Sequence, residues 1–328
     1  MLNLFKNSQP VSYVLVPAFL ALVWLAGWLG GSSVIMTNPK PLYALLLKFV
    51  ILLPSWFPAL LGIALVTTQA VNLNYLVGRH EVLYKKSYLP ALFFIIFASI
   101  IPSFTSFQPV LIVNTILIFV IEKLFRLYKS ASPLPLIFDA CFLIATASLI
   151  YLPAIAFVLL FIISVLILKT FAWRDWFVGL LGLMLPYFFM ALFYFLVFDL
   201  DLFFRELMPG NILTMWETEA IILKGYTVTI IVVLFVFLIT INKIRVNFYK
   251  NATRIRNFQQ VIFIFMVVAI ITLALTPSYG SYRFSILAIP LAVIISYYFL
   301  ASKQSWWNEV LFWSLIATLT FNYISVLI

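Results

Sequence analysis

Long apolar stretches separated by short polar breaks make up almost the whole chain. Each stretch comes close to the about 20 residues that a helix needs to cross the hydrocarbon core of a bilayer. The apolar–polar alternation over segments of about 10 residues that marks a membrane β-barrel does not occur. The pattern therefore predicts an all-α fold, a polytopic transmembrane helical bundle of about eleven spans with interfacial amphipathic helices. It forms a single integral membrane domain over 1–328, because no polar stretch is long enough to fold separately.

The predicted spans begin with 11–29, an uncleaved first helix, and continue with 43–66, where Pro54 and Pro58 predict a kink. Residues 67–87 mix Asn72, Arg79, His80 and Lys85 with Leu73, Leu76 and Val77, which predicts a helix lying on the membrane surface. His80 is expected on its solvated face. A short third span at 88–101 and a fourth at 109–125 follow, then a hairpin turning at Tyr151-Leu152-Pro153. Further spans are expected at 177–198, 226–241, up to Thr276, from Phe284 to before Lys303, and 310–328.

Charge orients this ladder. With the N-terminus inside, fifteen of the 20 Lys and Arg residues fall on the inner side, as the positive-inside rule requires. The inner segment 242–258 alone holds Lys243, Arg245, Lys250, Arg254 and Arg256. The chain is thus expected in a bacterial inner (cytoplasmic) membrane with a cytoplasmic N-terminus and an outer loop at 199–225.

Composition narrows the chemistry. At 65% hydrophobic and 9% charged, the chain is too apolar for a soluble domain, where about a quarter of residues are charged. A single Cys and a single His exclude an intrachain disulfide and leave too few ligands for a zinc, haem or non-haem iron site, so no metal and no cofactor is expected. The net charge of +10 is scattered through the breaks, which reads as a topology signal and not as a nucleic-acid surface. Trp24, Trp28, Trp56, Trp173, Trp176, Trp306, Trp307 and Trp313 lie mostly near span ends, where indole rings anchor at the headgroups.

Few polar side chains remain as candidates. Asp139 lies within a span, where an acid costs about 2.5–3.5 kcal/mol to insert; it is either a substrate or proton group or a carboxylate at a helix start. Asp199 and Asp201 open the outer loop, and two carboxylates at the outer interface suit ion binding or general base work. They share one side only if the chain is extended there, and diverge by about 200° on a helix. Arg205 and Arg283 offer planar forks for a phosphate, with Tyr279 and Tyr282 beside Arg283.

The succession Phe138-Asp139-Ala140, Ala147-Ser148-Leu149-Ile150-Tyr151-Leu152-Pro153, Phe171-Ala172-Trp173-Arg174-Asp175-Trp176, Gly182 and Pro186-Tyr187 resembles an uncharacterised family of polytopic inner-membrane proteins of Gram-negative bacteria. That resemblance implies the architecture but no activity. Some members of that family carry the label β-carotene monooxygenase, which needs several histidines for iron and is chemically untenable with His80 alone. The many spans, amphipathic outer segments and outer acids also resemble membrane glycosyltransferases that take sugars from polyprenyl phosphates. Those enzymes usually place a catalytic acid in the first outer loop, and residues 30–42 contain none.

Three functions fit this architecture. The first is a role in envelope glycan or lipid-linked precursor assembly, extending to sugar transfer at the outer face, with the bilayer and a polyprenyl-phosphate-linked substrate as partners. The second is a non-enzymatic membrane subunit that organises other membrane proteins. The third is a transporter, for which midplane charges and glycine hinges are sparse.

Overall fold

A computed structural model of the chain describes residues 5–6, 15, 17–21, 23–24, 39–54, 56–83, 85–170, 172–208, 226–275, 280–302 and 306–327. Among them every regular element is helical. In chain order these are α1 (Pro41–Ile51), α2 (Phe57–Arg79), α3 (Leu89–Ala98), α4 (Pro109–Arg126), α5 (Pro133–Ile150) and α6 (Phe157–Leu168). They continue with α7 (Trp173–Val197), α8 (Leu200–Leu207), α9 (Thr227–Asn247), α10 (Thr253–Ala274), α11 (Ala288–Ala301) and α12 (Trp306–Leu327). Short 3-10 turns cover Pro102–Thr105, Leu152–Ala156, Phe248–Lys250 and Ser281–Leu287.

Six helical segments among the described residues are long and apolar enough to cross a membrane: α2, α5, α7, Thr227–Lys250, α10 and Ser281–Ala301. This fits a membrane-embedded protein and leaves the count of about eleven spans unconfirmed. The first predicted span, at 11–29, lies largely outside the described residues.

The second predicted span is corrected. The chain does not kink at Pro54 and Pro58 but breaks between α1 and α2, with Pro58 in the first turn of α2. Proline is tolerated there because the missing N–H would have no helical acceptor. Helix α2 then runs to Arg79, so the surface helix expected at 67–87 is its second half. Gln69, Leu73 and Leu76 on this stretch are buried, and the Gln69 amide donates to the Leu111 carbonyl oxygen at 2.7 Å. Scattered polar residues at one end of a buried helix had imitated an amphipathic face.

Two further expectations fail for the same reason, burial by distant segments. His80 is not on a solvated face; it is buried, with its ring edge-on to Phe125 and Phe258 at 5.4 and 5.7 Å. Trp24 is no headgroup anchor; it is enclosed in the core and donates to Ser99 Oγ at 3.1 Å. Trp56, Trp173, Trp306 and Trp307 remain on the exterior, as anchors should.

The contacts give each helix a direction. Gln69 meets Thr115 and Arg79 meets Glu122, so α2 and α4 run parallel, with α3 returning between them. Lys123 pairs with Asp139 at 2.6 Å, joining the end of α4 to the start of α5. Helices α5 and α7 run parallel along a seam of very close approach. A side chain at Gly182 would lie 2.7 Å from the Phe138 carbonyl oxygen, and one at Gly179 would lie 3.3 Å from Cys141 Sγ. Ser148 and Tyr187 hydroxyls meet farther along at 2.5 Å. Small residues let helix backbones touch where dispersion and polar contacts, not water expulsion, must hold them.

All ten residues of α3 are buried, yet at about 1.5 Å per residue it spans only about 15 Å. Phe93 packs on Phe299 of α11 at 4.9 Å and edge-on to Phe312 of α12. Its end meets a polar layer at one end of the bundle. Asn322 donates to the Ile100 carbonyl oxygen at 2.8 Å, Tyr323 to that of Ser99 at 3.1 Å, and Ser103 shares a 2.8 Å hydrogen bond with Ser281.

Candidate functional site

That polar layer borders a crevice of about 460 Å³. Helix α9 leans on α11 and α12, while α10 leans on α6, on α11 and on the 3-10 turn at Leu152–Ala156; the two sequence neighbours share α11 but stand apart from each other. Ile230, Val233, Leu234 and Phe237 of α9 face Met266 and Ile270 of α10 across the gap. Phe97, Ile101, Phe104, Phe284 and Leu291 form its back wall. Among the described residues, Tyr226, Thr229 and Ser281 bring hydroxyls to the lining. Thr229 donates to Asn322 Oδ1 at 3.0 Å.

Arg283 stands one ring away. Its guanidinium lies 5.1 Å from the centre of the Phe284 ring, which lines the crevice, and donates to the Leu273 carbonyl oxygen at 3.2 Å. Both Arg283 and Tyr282 are buried within the Ser281–Leu287 turn. Tyr279 lies outside the described residues.

The two loop acids, Asp199 and Asp201, are elsewhere on the surface. Asp199 is extended and caps α8, its carboxylate accepting from the Asp201 backbone N–H at 3.3 Å. Asp201 is in the first helical turn, where a carboxylate suits the positive end of the helix. Both are exposed, as is Arg205 on the last turn, and none of the three lines the crevice. An amphipathic helix is present at the start of this loop as α8, with Phe203 buried; residues 209–225 of the loop lie outside the described set.

Asp139 sits at the opposite end of the α5–α7 pair, partly exposed and ion-paired to Lys123. The sequence-derived candidates are thus divided among three places: Tyr282 and Arg283 beside the crevice, Asp199, Asp201 and Arg205 on α8, and Asp139 at the far end. Among the described residues no group of three or more His, Cys, Asp or Glu side chains is arranged to hold a metal ion.

A buried cluster escaped the sequence reading. Lys40 Nζ donates to the carbonyl oxygens of Glu206, Leu207 and Met208 at 3.1, 3.4 and 2.9 Å, closing the C-terminal end of α8. Burial lowers its pKa, partly offset by the Glu206 carboxylate. Tyr194 donates to Glu206 Oε2 at 2.7 Å, and its hydroxyl also lies 3.1 Å from the Pro41 carbonyl oxygen. The available signal was Lys40 itself, a cation set between Pro39 and Pro41. Tyr43 of α1 then stacks on Phe107 at 6.4 Å, which carries the contact from α8 toward Phe104 and the crevice.

A family model matches residues 28–328, nearly the whole chain. The protein belongs to DUF6427, a family of unknown function. No curated protein and no solved structure matches it. For this DUF6427 chain the residues that suggested an uncharacterised family have structural roles. Phe138, Gly182, Ser148 and Tyr187 form the α5–α7 seam, and Asp175 is buried in a bidentate pair with Lys169 at 2.6 and 2.7 Å.

Proposed function

We propose that this DUF6427 protein handles a lipid whose chain enters the α9–α10 crevice and whose head lies near Tyr226, Ser281 and Arg283. The carrying observation is the crevice itself, apolar, with the Tyr226, Thr229 and Ser281 hydroxyls in its lining and the buried Arg283 guanidinium one ring behind it, against Phe284. A polyprenyl phosphate fits that polarity, with the isoprenoid along Val233 and Ile270 and the phosphate toward donors.

In this reading the chain crosses a bacterial inner membrane about eleven times, with the N-terminus cytoplasmic and α8 outside. The parallel and antiparallel contacts support that path, with α1 and α8 as outer helices, and the basic segment 242–258 supports the orientation. Single-cysteine labelling with Cys141 replaced tests it: an impermeant reagent reaching position 250 from outside would overturn it.

Envelope glycan or lipid-linked precursor assembly is the process this binding serves. Sugar transfer extends it, with Asp199 and Asp201 as base or ion candidates and Arg205, Tyr279, Tyr282 and Arg283 toward the substrate. The competing reading, a non-enzymatic membrane subunit, is favoured by the capping role of Asp199. Transport gains the short α3 beside a polar layer, but the crevice lining contains no ionisable side chain except the Tyr226 phenol.

The test is photocrosslinking with a diazirine-bearing polyprenyl phosphate in vesicles. Crosslinks should concentrate on peptides of α9 and α10, and Val233→Trp, which fills the gap, should remove them. Crosslinks spread evenly over the lipid-facing helices would sink the proposal.

A further inference from the structure

A second recess, of about 270 Å³, lies at the opposite, basic end of the bundle. Val77 and Gly78 of α2, then Glu81, Leu83, Lys85, Lys86, Ser87 and Ile255 line it. The loop that forms it leaves α2 by a tight reversal in which the Val82 N–H bonds to the Val77 carbonyl oxygen at 3.1 Å, with Glu81 in the left-handed region at φ 55. The chain then passes Lys85, Lys86 and Ser87 and enters α3 directly, so all three immediately precede the amino-terminal end of a wholly buried helix.

Several independent features converge here. Helix α3 begins two residues past Ser87, and the Tyr88 N–H is already given to the Phe5 carbonyl oxygen at 2.9 Å, so side chains and not the helix start line the recess. Lys85 and Lys86 are exposed at its walls, against one carboxylate, Glu81. Lys6 comes near enough that Lys85, after burial, holds its pKa below the ordinary value; its ammonium lies 3.5 Å from the Ser302 carbonyl oxygen. Ser87 is 91% buried, lines the recess, and its hydroxyl has no hydrogen-bond partner among the described residues. Buried hydroxyls seldom go unpartnered, and this one stands among cations. A side chain at Gly78 would meet nothing within 4 Å, so the recess extends over the helix surface itself.

We infer that this recess binds a phosphate group, held by Lys85, Lys86 and the Ser87 hydroxyl. Two lysines against one glutamate line it and leave it net cationic, and tetrahedral oxygens suit several donors arriving from different directions. The phosphate belongs either to an anionic lipid headgroup of the facing leaflet or to a soluble phosphorylated molecule. The site is separate from the α9–α10 crevice and does not depend on it.

The test uses the full chain purified in detergent, probed by native mass spectrometry with phosphatidylglycerol or phosphatidylcholine, and by thermal shift with inorganic phosphate or sulfate-free buffer. The wild type should retain phosphatidylglycerol over phosphatidylcholine, or gain stability with phosphate. The first outcome assigns a lipid headgroup and the second a soluble ligand. Lys85→Gln/Lys86→Gln should weaken the retained interaction at least about tenfold. Gly78→Leu should do the same without lowering the melting temperature, because it fills open space on a helix. Arg245→Gln/Lys250→Gln, which removes equal charge elsewhere, should leave binding within about twofold. No preference for either probe, undiminished binding in Gly78→Leu, or equal loss in the two double variants would overturn the site.

Discussion

Two residues show how local chemistry decides a role. Asp199 could have been a base, but its carboxylate bonds to the backbone of the helix it starts. Asparagine caps nearly as well and alanine does not. If capping is its whole role, Asp199→Asn should leave stability unchanged and Asp199→Ala should cost about 1 kcal/mol, read by unfolding in detergent. Loss of complementation in Asp199→Asn at normal protein level would instead restore the catalytic assignment. His80 makes the case for pH. Burial first, then Arg79, Arg254 and Arg126, push its pKa down to about 4. The folded state therefore binds this proton less readily than the unfolded state, whose His titrates near 6.5. Stability from this group is complete above about pH 6.5 and falls as pH drops toward 4, by at most about 3 kcal/mol. The stability difference between wild type and His80→Gln should shrink over that range; a difference independent of pH would contradict the assignment. Neither role was legible beforehand: the sequence shows an Asp before an amphipathic stretch and a His among charges, but not which distant side chains cover them.

At the scale of elements, apolar length was a good guide wherever a helix packs along its whole run, as in α5, α7 and α10. It misled at α1 and α2, because a proline in a first helical turn and a proline in a helix interior look alike in sequence. The α5–α7 seam was visible as a motif, but its meaning was not, since a glycine does not reveal what lies against it. Gly182 and Gly78 make a matched test. Gly182→Ala places a Cβ 2.7 Å from a backbone oxygen and should destabilise by about 1–3 kcal/mol. Gly78→Ala meets open space on a helix and should stabilise by up to about 1 kcal/mol. Equal effects of the two changes on unfolding would show that the seam is not closely packed.

Across the whole molecule, the bundle has two chemically different ends joined by an apolar interior. One end gathers Tyr226, Ser281, Arg283 and the α1–α8 cluster; the other gathers Lys6, His80, Lys85, Lys123 and Lys169. Charge counting along the chain expects most cations on one side of such a bundle. The crevice was not foreseeable. It exists because α9 and α10 each pack on other partners, and such partner choices leave no periodic signal in either helix. A map of the protein in a nanodisc supplemented with polyprenyl phosphate tests the central claim most directly. The account predicts elongated density between Val233 and Ile270, with its head beside Ser281 and Arg283. A closed gap with α9 packed against α10, or chain density only on the outer faces of other helices, would contradict it.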